Sequence, residues 1–388
     1  MRKFKAVKIN TNKKHSLYIF NTNRNKYIKI KGKKESKSKS IITFFYIVFF
    51  IIFIIFIIII VLKRKIISNI IIKSNDNKPK ILEQYIRNQK DFCQNPNKYY
   101  NQKYEDEISL NNITFKELKY QMYIFKSKNF LLQRVKKNGA FETRISNYII
   151  QALEFYTSVN NITNNKDVYM LDIGGNIGWY PSLLGRYNYN ILSFEAYEKN
   201  CYVSKKNYCL LNQDSNVIII SKGLGTEEKT CNYFIEKKNA GNGMVICDNN
   251  KEKLNDEYLK SIYKKEGTMD ITTLNSFLPY LSKKNIALMK LDVEGNELHI
   301  LEGGKELITK YHVPFVVLEF TPSLLKEAGS DPKELALFFV DNGYNISLNG
   351  FLSKDYINVE KLLIKGKNQV NCFFVHYSMN DLIKEFNH

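Results

Sequence analysis

The segment at 41–62, IITFFYIVFFIIFIIFIIIIVL, is 22 residues without a charge, and only Thr43 and Tyr46 carry a polar group. As a helix it would be about 33 Å long, matching a hydrocarbon core of ~30 Å. In water so much Ile and Phe would read as a buried strand, but no strand is this long, and in lipid only a helix satisfies its own backbone. A cleaved signal peptide has a shorter apolar region nearer the N-terminus. This run starts after forty residues and ends in Lys63-Arg64-Lys65. A permanent transmembrane helix is therefore expected. The 20 residues before it carry eight Lys or Arg and the 20 after it six. That bias favours a cytosolic N-terminus, hence a single-pass type II protein of the endoplasmic reticulum or Golgi with a lumenal C-terminal part.

The formal charge of +20 would suggest a nucleic-acid partner if it were spread along the chain. It is not: residues 1–80 hold 20 Lys and Arg against only Glu35 and Asp76. The remainder is nearly neutral, so no nucleic-acid groove is expected. The layout predicted is a basic tail at 1–40, the transmembrane helix at 41–62, a stem rich in Lys, Asn and Gln at 63–110, and one folded domain at 111–388. Sequons stand at Asn112, Asn161 and Asn345, as an Asn-rich chain produces by chance. The six cysteines show neither C-x-x-C nor zinc spacing; no metal is expected, and in a lumen some could pair, though the spacing does not say which.

Within the folded part, short apolar runs at 168–173, 190–194, 216–221, 286–292 and 313–320 alternate with helical stretches. This predicts βαβ units and a mostly parallel, doubly wound α/β sheet. Two further strands follow at 344–348 and 371–378, read as a C-terminal antiparallel hairpin. A polar insertion of about forty-five residues after the third run contains Gly241-Asn-Gly243, a hairpin signal.

The first strand ends in Asp172-Ile-Gly-Gly-Asn-Ile-Gly178. Gly174, Gly175 and Gly178 allow a tight turn and close approach of the backbone to a ligand, with Asn176 between them. Glu195 ends the second strand, where a carboxylate can accept both hydroxyls of a ribose. The dinucleotide pattern G-x-G-x-x-G is absent, and an acid before the first glycine suits a ligand with an amino-acid part. A second cluster, Lys290-Leu-Asp292-Val-Glu294-Gly-Asn-Glu297, lies at the end of the fourth strand. Strand periodicity puts Lys290 and Asp292 on one face with Glu294 beyond them. The alternative is an ion pair plus carboxylates placed well at a helix N-terminus.

Taken together, VYMLDIGGNIGWYPSLL, SFEAYEKN, TTLNSF, MKLDVEGNELHILEGG and VPFVVLEF resemble the FkbM-type methyltransferases, a branch of the class I enzymes dependent on S-adenosyl-L-methionine (SAM). The match runs over roughly 139–320 and departs at Asn275, where the family usually has Asp, and at Gly175, often Ala. The resemblance implies a Rossmann-like fold and SAM as cofactor. It implies Asp172, Gly174, Gly175, Asn176 and Gly178 around the methionine part, Glu195 on the ribose, Glu142 facing the cofactor, and adenine near 221–224. For catalysis it points to Asp292 as base or orienting residue, with Lys290 setting its charge and Glu294 second; Glu319 is a weaker candidate and His299 structural. A lumenal, membrane-anchored member would methylate a glycan or other saccharide-like hydroxyl. A nicotinamide- or nucleotide-sugar-dependent enzyme and a non-catalytic tether of the same fold are the alternatives.

Overall fold

The computed structural model describes residues 5–8, 17–21, 26–29, 79–126, 130–211, 216–237, 243–247 and 257–386. The run at 41–62 lies outside them, and among the described residues no helix is long and apolar enough to cross a membrane. The chain divides into two compact units, 1–74 and 75–388. In the first, where the sequence suggested only a basic tail, Lys5–Lys8, Leu17–Asn21 and Lys26–Lys29 pair as a small antiparallel sheet. Their β-branched and aromatic residues supply strand propensity that the charge count hides.

The second unit is built on eight strands: β1 Val168–Ile173, β2 Asn190–Phe194, β3 Val217–Ile220, β4 Asn285–Leu291, β5 Phe315–Phe320, β6 Tyr344–Ser347, β7 Tyr356–Ile357 and β8 Val370–His376. Their order is β7-β6-β8-β5-β4-β1-β2-β3. The strands β3-β2-β1-β4-β5 are parallel, whereas β8 lies antiparallel between β5 and β6. The C-terminal pair is thus joined through a long connection that carries β7, not a tight hairpin. Every residue of β1 and β2 is buried, as expected of parallel strands covered on both faces. Alternate residues feed two cores, Met170 with Leu153, Leu183 and Phe373 on one face, Leu171 with Met289, Leu301 and Phe374 on the other.

The segment expected as a stem is structured where it is described. Helix α1 (Pro79–Gln94) packs along the edge strand β3. The Gln89 carboxamide donates to the Val217 carbonyl at 2.6 Å and accepts the Ile219 N–H at 3.0 Å, standing in for a neighbouring strand. This covers an edge that would otherwise present unpaired groups. A Cys93–Cys209 disulfide ties α1 to the helix Glu198–Cys209. The hairpin Ile108–Phe115/Leu118–Phe125 is fixed by Asn207, which accepts the Tyr123 N–H at 2.6 Å and donates to the Tyr123 and Ile177 carbonyls.

The insertion forms its own sheet, ordered Gly243–Cys247, Lys229–Glu236, Tyr263–Thr272, Gly223–Leu224. The strands flanking the Gly241-Asn-Gly243 signal pair antiparallel and are joined by a Cys231–Cys247 disulfide.

Gln89→Ala leaves a buried carbonyl and a buried N–H of β3 without partners. It should lower the unfolding free energy by roughly 2–4 kcal/mol, read from urea unfolding with an unchanged slope.

Candidate active site

Strand order reverses at β1: β2 and β3 continue one way, β4 and β5 the other. Open α/β sheets bind ligands at such a point, beyond the carboxyl ends of the strands. Register places Asp172 of β1 opposite both Lys290 of β4 and Ser193 of β2. Beyond β1 the chain turns at once: the N–H groups of Gly174 and Gly175 both donate to the Phe194 carbonyl, at 2.9 and 3.0 Å. Gly174 has φ +81°, and a Cβ there would sit 1.8 Å from the Asp292 carbonyl oxygen. A Cβ on Gly175 would sit 2.0 Å from Ser193 Oγ, so a side chain there would have to displace that hydroxyl, whereas at Gly174 it would meet backbone. Gly178 precedes helix α2 (Trp179–Arg186).

Asp172 is fully buried. Its Oδ2 accepts from Ser193 Oγ at 2.9 Å, while its buried Oδ1 has no partner. Burial pushes its carboxyl up to about 6; Lys290 and the Ser193 hydrogen bond oppose the rise, and Asp292 and Glu142 add to it. An orphaned carboxylate oxygen in the wall of the crevice is an acceptor awaiting a donor.

Glu195 is held from two sides. The Asn176 N–H donates to Oε2 at 2.7 Å and the Tyr197 N–H to Oε1 at 2.8 Å. Asn176 reaches this position at φ +48°. Burial raises the Glu195 carboxyl and the two backbone donors lower it, with Asp172 adding to the rise. Each oxygen still has a lone pair for a further hydroxyl.

Lys290 is buried, its Nζ 2.9 Å from Asp292 Oδ2 and 5.3 Å from the centroid of the Tyr180 ring. Burial alone would lower this ammonium, but Asp292, Glu142 and Asp172 together raise it above its ordinary value. Glu142, at φ +43° before the helix Thr143–Val159, accepts the Tyr180 hydroxyl at 2.6 Å. Glu294, at φ +53°, stands at the exposed rim. Partial loss of hydration, then the charges of Asp292, Glu319 and Glu297, push it up to about 7, against Lys290. Glu297, read from the sequence as part of the carboxylate cluster or as a helix-end carboxylate, is 2 % exposed. Its Oε1 accepts the Val293 and Gly295 N–H groups, its buried Oε2 has no partner, and burial pushes it up to about 7. Burial and then Asp292 likewise raise Glu319 at the end of β5.

The structure therefore gathers Glu142, Asp172, Lys290, Asp292, Glu294 and Glu319 into one charge cluster, with Glu195 across the glycine loop. His299 sits inside the helix Glu297–Gly303, and Gly223 of the 221–224 stretch would bring a Cβ within 3.2 Å of Ala196. Sequence reasoning passed over Ser193 and Tyr180. Ser193 is a polar residue within the buried strand NILSF, between Leu192 and Phe194, which is a usable signal; an aromatic on a helix such as Tyr180 reads simply as core. Among the described residues no group of His, Cys, Asp and Glu is arranged to hold a metal.

Comparison with curated proteins finds no match. Among solved structures the chain is similar to the magnesium protoporphyrin IX methyltransferase of Synechocystis PCC 6803 with bound SAH, at 10% identity and TM-score 0.31 over 64% of this chain and 88% of that one. It is similar to a SAM-dependent methyltransferase of Agrobacterium tumefaciens at 8% identity and TM-score 0.31, over 69% of each chain. A protein of the NADB-Rossmann superfamily from Streptococcus agalactiae matches at 14% identity and TM-score 0.29, over 57% of this chain and 68% of that one. Likenesses this slight add nothing to the topology above. The sequence itself is specific: residues 172–346 match the family model of the methyltransferase FkbM domain. The stretch from Asp172 at the end of β1 to Ile346 in β6 therefore belongs to the FkbM methyltransferase domain family.

Proposed function

We propose that the chain is an S-adenosylmethionine-dependent O-methyltransferase that acts on a hydroxyl of a glycan or similar saccharide acceptor, from a domain held on the lumenal side of a membrane. The observation that carries this reading is the surplus of carboxylates around the glycine loop. Asp172, with its orphaned Oδ1, lies among Glu142, Asp292 and Glu294, and Lys290 is the ammonium that faces them. Buried carboxylates without cations are costly, so the crevice fits a ligand carrying positive charge. The cofactor is S-adenosylmethionine, whose amino-acid end offers an ammonium and whose sulfur is cationic. A pyrophosphate-containing ligand such as NAD or a nucleotide sugar would meet repulsion from the same carboxylates.

S-adenosylmethionine, when bound, supplies an electrophilic methyl carbon. Asp172 Oδ1, which has no partner within the protein, would accept from its ammonium, and the loop from Gly174 through Asn176 to Gly178 would let the backbone approach its amino-acid part. Glu195, fixed by the Asn176 and Tyr197 N–H groups, would take the ribose hydroxyls. The sequence favoured Asp292 as base, but its Oδ2 is engaged by the Lys290 ammonium at 2.9 Å. Asp292 orients the acceptor, and Glu294, with its carboxyl near neutrality, removes the hydroxyl proton. The lumenal placement draws support from the disulfides Cys93–Cys209 and Cys231–Cys247, which persist in oxidising compartments, and from the charge bias around 41–62.

Methyl transfer should rise with pH through about 7, as Glu294 loses its proton, and level off above it. Glu294→Gln should lower kcat by about 10²–10⁴-fold and remove that limb, measured by tritium-methyl transfer over a pH series with bound cofactor verified. In sealed microsomes, protease should spare the 75–388 unit until detergent is added; digestion without detergent would move the domain to the cytosol.

A further inference from the structure

The insertion sheet brings aromatic residues toward the crevice that the chemistry above leaves unused. Its strand Lys229–Glu236 shifts register against Tyr263–Thr272 between Tyr233 and Phe234, the kind of irregularity that re-aims a side chain. Tyr233 lies against Tyr197, with ring centroids 4.6 Å apart and planes at 35°. Tyr197 donates its N–H to Glu195, so the aromatic pair is fixed to the same carboxylate as the glycine loop. Both rings are half-buried. Burial raises the Tyr233 phenol above its ordinary value and the charges of Glu195, Glu294 and Glu266 raise it further, so the ring faces carboxylates from the β2 and β4 ends alike. The Cys231–Cys247 disulfide braces the strand two residues away.

Beside the pair lies a shallow, partly open groove lined by Tyr104, Tyr197, Tyr233, Glu198, Glu266 and Thr268. Glu266 is held between Lys103 at 3.3 Å and Lys264 at 3.7 Å. An aliphatic ligand would cover these polar groups without pairing them. Flat aromatic faces bordered by fixed carboxylates and a hydroxyl suit a ligand with a C–H face and a rim of hydroxyls, which a pyranose ring has.

We propose that Tyr233 and Tyr197, with Glu266 and Glu198 at the rim, form the acceptor subsite, a cleft for a neutral pyranose ring. The role as acceptor site rests on the methyltransferase reading; the binding itself does not. The test is saturation-transfer difference NMR on the full chain in phosphocholine micelles, with methyl α-mannopyranoside and methyl β-glucopyranoside as probes and S-adenosylhomocysteine titrated in parallel. The ring C–H signals of at least one pyranoside should saturate with wild type, fall about tenfold with Tyr233→Ala and persist with Tyr233→Phe. Affinity for S-adenosylhomocysteine should stay within about twofold in both variants. Should Tyr233→Ala misfold, Glu266→Gln replaces it, with a loss of about fivefold expected from one charged hydrogen bond. Pyranosides that bind neither variant nor wild type, or bind Tyr233→Ala as well as wild type, overturn the cleft. Tyr233-dependent pyranoside binding without any S-adenosylhomocysteine binding upholds the cleft and overturns the cofactor reading.

Discussion

The site depends on the parallel register between β1 and β4. The Asp292 N–H donates to the Ile173 carbonyl at 3.0 Å, continuing the ladder one residue past the strand. That bond fixes where Asp292 stands, and the Asp292 carbonyl in turn lies where a side chain on Gly174 would be. One pairing thus sets the path of the glycine loop, places Lys290 opposite Asp172, and aims the β4 carboxylates at the same crevice. A one-residue slip would turn Lys290 and Asp172 to opposite faces and break the cluster.

Around that register the charges do not balance within the protein. The Lys290 ammonium is shared among Asp292, Glu142 and Asp172, which is why burial fails to lower it. One ammonium does not offset their burial: Asp172 still rises to about 6, and Glu294 and Glu297 to about 7. Carboxyls raised in this way gain more from a cation placed beside them than exposed ones would. The stability of the frame comes from elsewhere, from the two apolar layers and from α1, whose disulfide and Gln89 hold the edge strand.

Much of this was legible in the sequence. The strands of the sheet stood out because both-face burial makes them continuous apolar runs, and Asp172, Glu195 and Lys290 stood at their ends. The helix α1 was legible in principle: Leu82, Tyr85, Ile86, Gln89, Phe92 and Cys93 follow helical spacing. Its Lys, Asn and Gln content disguised it as a stem, and a glutamine occupies the central buried position. The Cys93–Cys209 pairing was not legible, because its partners are 116 residues apart and meet only through the sheet. Nor was the contrast between Asp292, whose Oδ2 pairs with the Lys290 ammonium at 2.9 Å, and Glu294, which stands at the exposed rim of the same segment. Tyr233 lay hidden for the same reason: an insertion's position over a crevice is a property of tertiary packing.

The most direct measurement is calorimetric titration of the full chain in micelles with S-adenosylmethionine, S-adenosylhomocysteine and adenosine, for wild type and Asp172→Asn. A carboxylate-rich crevice that requires a cation should bind the first two in the micromolar range and adenosine at least about a hundredfold more weakly. Asp172→Asn should cost the two amino-acid-bearing ligands about tenfold or more and leave adenosine unchanged. Adenosine binding as tightly as S-adenosylmethionine, or affinities indifferent to Asp172→Asn in a folded chain, would contradict the account.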